Sequence, residues 1–409
     1  MSGRREPAGI RAAKRLEGFG TTVFSEFSLL AQQHGAVNLG QGFPDFDGPE
    51  EVREAAVKAL RTGLNQYAMG AGLPDLRQAV AEHASRFYGM AVDPDTMVSV
   101  TSGATEAIFD TLLALTDPGD EVILFEPFYD SYEASVRLAG ATPRFVLLRP
   151  PDDAHGTWWY DRQELEDAFG PRTRLVVLNT PHNPTGKVFT PEELTHLRDL
   201  CVRHGVNVLS DEVYEHLVFA PLRHLRPATL EGLAERTVTI SSAGKSFGFT
   251  GWKIGWAIAP PTLRKAVQAV HQFVTFASAA PLQAAVATAL RLGDGYFSGF
   301  ETDYRRKRDL LGQALKGAGL STFTSEGTYF TMARVPDAFE GDDFAFCRFL
   351  TKEVGVAAIP PSAFYGEAHR VHGQRLVRFA FCKEDDTLRH AAERLSRLPE
   401  AISSRSGGC

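Results

Sequence analysis

Residues whose side chains can do chemistry follow five apolar segments, each at the point where a β-strand would end. They are residues 101–105 after MVSV, 126–128 after EVILF, 179–183 after RLVVL, 211–214 after VNVLS and 242–245 after VTIS. In an open α/β sheet ligands bind at the carboxyl ends of the strands, so these segments are expected to meet at one ligand. Residues 101–105 form a turn of small residues, whose free backbone N–H groups suit a phosphate if a helix begins there.

Each of these features also has a purely structural interpretation when taken alone. A glycine-containing turn is usually a tight connection, and Asp211 with Glu212 would stabilise a helix N-terminus. A single lysine such as Lys245 is usually a solvated surface charge, and Phe128 and Tyr214 would count as core aromatics. The chemical interpretation therefore depends on the whole combination.

Short strands alternating with helices must position these residues. Seven segments rich in β-branched residues, MVSV, EVILF, RFVLL, RLVVL, VNVLS, VTIS and WKIGWAIA, are separated by amphipathic stretches. One stretch begins at Pro191 and ends before Gly205, which is the usual punctuation of a helix. This alternation predicts an α/β fold with a mostly parallel seven-stranded sheet.

The chain is expected to form two domains, because 409 residues exceed what one hydrophobic core usually supports. After Pro281 the pattern changes to long helical segments, one through Leu290 and one from Phe300 to Ala318. We predict an N-terminal arm with part of the small domain over residues 1–52. A large domain is expected over 53–300 and the rest of the small domain over 301–409.

Composition narrows the classes of function. A formal charge of -7 argues against a nucleic-acid binder, and no segment approaches the roughly 20 apolar residues of a membrane span. The four cysteines form no C-x-x-C pair, so no metal site or disulfide framework is expected. The basic N-terminal segment lacks the apolar region of a secretory signal. We expect a cytoplasmic enzyme acting on small molecules.

Three longer motifs resemble the core of one family. NTPHNPTGK, SDEVY and SSAGKSFGFTGWKIGW carry Asn183, Asp211 and Lys245 in the order found in class I aminotransferases, which are pyridoxal-phosphate enzymes of fold type I. The resemblance extends from about Phe24 to Leu395. It implies a large cofactor-binding domain, a smaller α+β domain, pyridoxal 5′-phosphate as cofactor, and ping-pong transfer of an amino group to a 2-oxo acid.

The same resemblance implies roles around the cofactor ring. Lys245 is expected to hold the cofactor as a Schiff base and to move the substrate proton, and Asp211 to pair with the pyridine nitrogen. Tyr214 and Asn183 resemble the donors to the ring's phenolic oxygen. Phe128 is expected to stack on the ring face.

The resemblance also implies a phosphate site and a homodimer. Lys253 stands where many members have arginine, which replaces a bidentate fork by a point charge. Tyr67, in LNQYAMGAG, resembles a tyrosine that reaches the phosphate of the neighbouring subunit, which implies shared active sites. The residues expected to hold the phosphate within one chain are Gly103, Ala104, Thr105, Ser242 and Lys253.

Arg378, in LVRFAFCKED, resembles the arginine that binds the substrate α-carboxylate through two parallel hydrogen bonds. Gly42, in NLGQGFPDF, and Asn183 are expected beside the same carboxylate. Phenylalanine rings are expected to line the side-chain pocket, which favours a neutral, apolar or aromatic amino acid as donor. The rings are Phe24, Phe43, Phe128, Phe276 and Phe364.

Four segments, NLGQGFPDF, EPFYDSYE, SAGKSFGFTGWK and AIPPSAFY, are similar to the branch containing methionine aminotransferases, glutamine transaminase K and kynurenine aminotransferases. Thr105 and Ala277 stand where the kynurenine and glutamine enzymes have tyrosine and histidine. TSGATEAI is closer to the methionine-type enzymes and also to succinyl-diaminopimelate transaminases. The substrate stays open, and a β-lyase or another pyridoxal-phosphate reaction on the same fold remains an alternative.

Overall fold

The computed structural model describes residues 13–16 and 18–406. The strands are β1 Val37–Asn38, β2 Val98–Thr101, β3 Glu121–Glu126, β4 Thr142–Leu147, β5 Thr173–Asn179, β6 Asn207–Asp211, β7 Thr237–Ser242, β8 Gly255–Ile258, β9 Ser321–Thr322, β10 Phe330–Arg334, β11 Val356–Ala357 and β12 Leu376–Ala380. The helices are α1 Val23–Gln33, α2 Glu50–Arg61, α3 Pro74–Tyr88, α4 Gly103–Leu115, α5 Ser131–Leu138, α6 Arg162–Ala168, α7 Pro191–His204, α8 Ala243–Ser246, α9 Pro261–Val274, α10 Ala280–Leu290, α11 Asp294–Gly317, α12 Asp343–Phe349, α13 Asp385–Leu395 and α14 Leu398–Ser406.

Seven strands form one sheet in the order β2-β8-β7-β6-β5-β3-β4. The neighbours from β4 to β7 are parallel, whereas β8 runs antiparallel to both β2 and β7. Strands β3, β7 and β8 are buried along their whole length, as expected for a sheet covered on both faces. The predicted α/β fold is confirmed, and WKIGWAIA supplies the antiparallel strand.

Local sequence explains where the helices begin and end, and α7 is the clearest case. Thr190 and Glu193 form a reciprocal capping box at its start, and Pro191 occupies the first turn. Gly205 ends it with a φ of 66°, a conformation that a residue with a Cβ adopts only with strain. The helix predicted between Pro191 and Gly205 is therefore confirmed.

A second region combines both ends of the chain. β12, β10 and β9 form an antiparallel sheet, and β1 pairs in parallel with β11. Phe27 and Leu39 share one core cluster with residues 304–402. The domain boundary expected at residue 300 falls inside α11, where Phe297 packs into the cluster of the large sheet and Tyr304 into this second cluster.

None of the helices that the structure describes is both long and apolar enough to cross a membrane. Cys201, Cys347 and Cys382 are buried free thiols, and Cys409 lies outside the described residues.

Candidate active site

A cavity of about 240 Å³ lies where the carboxyl ends of β5, β6 and β7 meet the first turn of α4. Four of the five predicted strand ends contribute to its lining. The fifth contributes the neighbouring Tyr129. The residues that were predicted from sequence and line this cavity are Phe24, Gly42, Gly103, Ala104, Thr105, Asn183, Asp211, Tyr214, Ser242, Lys245, Lys253 and Arg378.

Lys245 lies on the short helix α8, directly after β7. Its Nζ donates hydrogen bonds to Tyr329 Oη at 2.8 Å and to the Gly42 carbonyl at 3.3 Å. Burial lowers the pKa of this amine to about 8, and the positive charges of Arg378 and Lys253 act in the same direction. An appreciable fraction is therefore neutral near pH 7, and a neutral amine is the nucleophile that an aldehyde requires.

Asp211 ends β6 and is buried. Burial raises the pKa of its carboxyl to about 6, while the Tyr132 hydroxyl, which donates to Oδ2 at 2.5 Å, acts in the opposite direction. The Val213 N–H donates to Oδ1 at 3.3 Å and holds the second oxygen. A protonated ring nitrogen would supply the positive partner that this carboxylate needs in order to remain ionised.

The turn before α4 forms a cradle for an anion. Gly103 has a φ of 76°, and a Cβ at this position would lie 3.2 Å from both Cε and Nζ of Lys253. Lys253 Nζ lies 3.5 Å from Thr105 Oγ1 and, among the described residues, has no carboxylate within ion-pair distance. A helix N-terminus beside an unneutralised lysine suits a phosphate.

Arg378 is a buried cation on β12 that has no carboxylate within ion-pair distance among the described residues. Nη1 donates to Asn183 Oδ1 at 3.0 Å, Nη2 donates to the Gly40 carbonyl at 2.9 Å, and Nε has no hydrogen-bond partner among the described residues. Burial lowers the pKa of the guanidinium to about 10. A buried charge without a counter-ion is costly, so an incoming carboxylate would be strongly favoured here.

The polar groups in this cavity fit pyridoxal phosphate. A largely desolvated amine suits the aldehyde, a buried carboxylate suits the pyridine nitrogen, and the α4 cradle with Lys253 suits the phosphate. The unpartnered Arg378 Nε leaves a donor for the carboxylate of an amino acid.

Phe128 does not line the cavity, although the sequence predicted that it would stack on the cofactor ring. Its ring is buried and stacks on Phe145 at 5.6 Å, and its backbone N–H donates to the Phe364 carbonyl. Tyr129, one residue later, lines the cavity instead. The prediction was wrong because the Phe128 ring packs in the core against Phe145 and not in the cavity.

Other predicted aromatic residues also lie outside the cavity lining. Tyr67 and Phe276 are 85% and 49% exposed and meet edge to face at 5.4 Å on the surface of the chain. Phe43 is exposed and lies beside Lys383. Phe364 is buried behind the lining, 5.7 Å from Phe24 and 5.1 Å from the Arg378 guanidinium.

Several polar residues near the cavity were given no individual role by the sequence. Tyr132 holds Asp211, Tyr329 holds Lys245, and Asn179 Oδ1 accepts a hydrogen bond from the Asn183 backbone. Gln41 lines the cavity. Asn179 ends a predicted strand and Tyr132 lies in EPFYDSYE, so position alone could have suggested these two; Tyr329 has no local signal.

Comparison with known proteins identifies the family of the chain. The model of the family described as aminotransferase class I and II matches residues 34–395. The mouse kynurenine–oxoglutarate transaminase 3 is 43% identical, with 95% of this chain and 90% of that protein covered.

Two solved structures are similar over nearly the whole chain. The N-succinyldiaminopimelate aminotransferase from Mycobacterium tuberculosis has a TM-score of 0.91 at 47% identity, covering 95% of this chain and all (100%) of that one. A methionine aminotransferase from Escherichia coli has a TM-score of 0.90 at 41% identity, covering 95% and 100%. The chain belongs to the class I and II aminotransferase family, whose cofactor is pyridoxal phosphate.

Proposed function

We propose that this aminotransferase takes the amino group from a neutral, apolar or aromatic L-amino acid and passes it to a 2-oxo acid by a ping-pong mechanism. The observation that carries the proposal is the surroundings of Arg378. Its guanidinium lies 4.1 Å from the Phe330 ring centroid, 5.1 Å from Phe364 and 5.3 Å from Phe24. A substrate held by its α-carboxylate would therefore place its side chain among aromatic rings.

Charge supports the same choice of substrate. Among the described residues, the cationic side chains that line the cavity are Lys245, Lys253 and Arg378. In our proposal these serve the cofactor aldehyde, the cofactor phosphate and the substrate α-carboxylate. No further cation is left for a second carboxylate, and burying one unpaired would cost several kcal/mol.

The residues around the cofactor ring are proposed to act on protons and charge. When bound, pyridoxal phosphate supplies a sink for the electrons left at the substrate α-carbon. Asp211 keeps the ring nitrogen protonated, and Tyr132 keeps Asp211 in place. Lys245 Nζ would take the proton from the substrate α-carbon and pass it to the cofactor. Its lowered pKa places both protonation states within reach near neutral pH.

Three side chains are proposed to set the position of the ring and its oxygen. Tyr129 would face one side of the ring. Tyr214 and the Nδ2 amide of Asn183 would donate to the phenolic oxygen, because Asn183 Oδ1 already accepts from Arg378. The same asparagine therefore connects the cofactor ring to the group that binds the substrate.

We also propose a homodimer with shared active sites. Tyr67, Met69, Phe273 and Phe276 are exposed apolar side chains on nearby segments, and a second copy would cover them. Tyr67 then reaches the phosphate of the neighbouring subunit. A two-domain division at residue 300, between Phe297 and Tyr304 of α11, and a cytoplasmic location complete the proposal. The buried free thiols suit a reducing compartment.

A succinyl-diaminopimelate type of transaminase is the second candidate. The observation that favours it is the 47% identity to the Mycobacterium tuberculosis enzyme. This substrate carries further carboxylates, so its recognition needs cations from outside the described lining. A partner subunit is one source of such a cation. Arg264 precedes Phe276 in the chain and is half buried on α9.

Kinetics on a panel of amino donors tests the choice. With 2-oxoglutarate as acceptor, we expect kcat/KM for methionine, phenylalanine or leucine to exceed that for aspartate by about 100-fold, the cost of one underpaired carboxylate. N-succinyl-L,L-diaminopimelate is measured in parallel. If kcat/KM for N-succinyl-L,L-diaminopimelate or for aspartate exceeds that for the apolar donors, the proposal of an apolar donor is wrong and the second candidate replaces it.

A further inference from the structure

Tyr329 lies at a point where three distant parts of the chain meet. It immediately precedes β10, it is fully buried, and its carbonyl accepts a hydrogen bond from the Phe381 N–H. Its ring meets Tyr214 edge to face at 5.1 Å and stacks near Tyr304 at 6.2 Å. These contacts leave the ring little freedom to move.

The Tyr329 hydroxyl has three polar partners, and all belong to the active site: Lys245 Nζ, the Gly42 carbonyl and the Tyr214 hydroxyl. It accepts a hydrogen bond from Lys245 Nζ at 2.8 Å and donates its own proton to the Gly42 carbonyl. Lys245 Nζ also donates to that carbonyl at 3.3 Å. Gly42 must be a glycine here, because a Cβ would lie 2.6 Å from the Phe330 ring and 3.2 Å from the Tyr329 ring.

This arrangement has a consequence for the nitrogen of Lys245. An amine nitrogen has three positions besides its bond to Cε, and Tyr329 Oη and the Gly42 carbonyl each accept one hydrogen. In the neutral amine the remaining position is the lone pair, and in the ammonium it is the third proton. Two fixed acceptors therefore leave one position of the nitrogen for the ligand.

We propose that Tyr329 is a positioning residue for Lys245: together with the Gly42 carbonyl it holds the amine whenever that amine is not bonded to the cofactor. The inference rests on the role proposed for Lys245. The proton that leaves the substrate α-carbon then meets an oriented lone pair. The same hydroxyl connects Lys245 to the loop around Gly42 through hydrogen bonds. A movement of that loop would therefore change the position of Nζ.

Tyr329→Phe tests the proposal, with Tyr304→Phe as a matched control. Tyr304 is a neighbouring buried tyrosine, and its hydroxyl has no hydrogen-bond partner among the described residues. Both variants lose one hydroxyl and keep the ring. Far-ultraviolet circular dichroism and thermal melting check that each variant folds.

The first measurement does not depend on turnover. Lys245 in cofactor-free protein is acetylated at a series of pH values and quantified by peptide mass spectrometry. A hydrogen bond accepted from the ammonium favours the charged form, so its loss should lower the half-modification pH by about one unit. Asp211, Cys382, Arg378 and Lys253 also act on this amine, and neither variant changes them.

The second measurement is the isotope effect with an α-deuterated amino donor. Tyr329→Phe should raise the effect and lower kcat about tenfold with little change in KM, because proton transfer becomes slower. Tyr304→Phe should match the wild type in both measurements. If Tyr329→Phe behaves as Tyr304→Phe does, Tyr329 only packs and the proposal is overturned.

Two further experiments separate this inference from the role of Lys245 itself. Borohydride fixation of the cofactor should label Lys245 in the wild type and in Tyr329→Phe; a label on another lysine overturns the role of Lys245 and the positioning proposal with it. A crystal structure of the wild type with pyridoxamine phosphate should place the free Nζ within hydrogen-bond distance of Tyr329 Oη and the Gly42 carbonyl. An amine that lies elsewhere overturns the inference even if the variant does not fold.

Discussion

Arg378 illustrates how a single residue can be prepared for a ligand. Arg378 is 1% exposed, and its hydrogen-bond acceptors, Asn183 Oδ1 and the Gly40 carbonyl, are both neutral. Its guanidinium lies 4.1–5.3 Å from the ring centroids of Phe330, Phe364 and Phe24. Its charge therefore stays available for the carboxylate of a substrate.

Arg378→Lys should lower kcat/KM for the amino donor, although the charge is conserved. The loss should correspond to an increase in activation free energy on the order of 2–5 kcal/mol. A lysine cannot reproduce the fork that contacts Asn183, Gly40 and a carboxylate together. Steady-state kinetics checks the loss, and a cofactor titration checks that cofactor affinity changes little.

Arg375→Lys is the matched control for this variant. Arg375 precedes the same strand but donates to backbone carbonyls of residues 335–341, away from the cavity. It should keep nearly normal kcat/KM. A loss in Arg378→Lys that is confined to cofactor binding would contradict the substrate role.

Among the elements, the turn between β2 and α4 is the feature on which the proposed phosphate binding depends. Gly103 adopts a left-handed backbone conformation, and its missing Cβ makes room for the Lys253 side chain. The helix N-terminus and the lysine therefore reach one anion together.

Gly103→Ala should weaken cofactor binding by about tenfold or more, because an alanine adds backbone strain of roughly 1–2 kcal/mol and displaces Lys253. An absorbance titration of cofactor-free protein with pyridoxal phosphate measures the change. Gly119→Ala is the control, since Gly119 has a φ of 96° but no atom near its Cβ position. Equal effects of the two substitutions on cofactor affinity would show that strain alone is responsible.

Strand ends were predictable from the sequence because the alternation of apolar segments and helices is a local signal. β2, β3, β5, β6 and β7 all end where polar residues were expected to begin a ligand site. The family resemblance that the motifs around Asn183, Asp211 and Lys245 carry then predicted twelve of the 23 residues that line the cavity.

The remaining features depend on contacts between distant segments. Phe128 and Tyr129 are adjacent aromatics, and only packing against Phe145 decides which of them faces the cavity. Tyr329 meets a carbonyl 287 positions away in the chain. Apolar periodicity carries no information about such a pairing. The proposed domain boundary has no clear local signal for a different reason. One continuous helix, α11, packs into both core clusters.

At the scale of the whole molecule, several histidines are buried in the neutral form. His83 Nε2 lies 2.8 Å from His216 Nε2, and His182 Nδ1 lies 2.8 Å from Thr185 Oγ1. Burial lowers the pKa of His83 to about 4 and those of His182 and His216 to about 3. In the unfolded chain each would bind a proton below a pH of about 6.5.

The contribution of these histidines to the free energy of unfolding should therefore fall as the pH is lowered from 6.5 toward 4, because each of them binds a proton in the unfolded state and not in the folded state. Burial raises the pKa values of Asp110, Asp211 and Asp343 to about 7, 6 and 6, so these carboxyls act in the opposite direction. Between pH 6.5 and 5 the loss is on the order of 2 kcal/mol for each buried histidine. Thermal or denaturant unfolding at pH 7.5, 6.5 and 5 measures it. His182→Asn should reduce the slope and the exposed His34→Asn should not; an unchanged slope in His182→Asn would contradict the assignment.

We propose that Lys245 is the residue that bonds to pyridoxal phosphate. Borohydride reduction of the wild-type protein with bound cofactor, followed by peptide mapping, tests it directly. We expect the reduced cofactor on Lys245, and we expect Lys245→Ala to carry no label and to show no turnover. A label on Lys253 or on the buried Lys187 would contradict the assignment of Lys245 as the cofactor lysine.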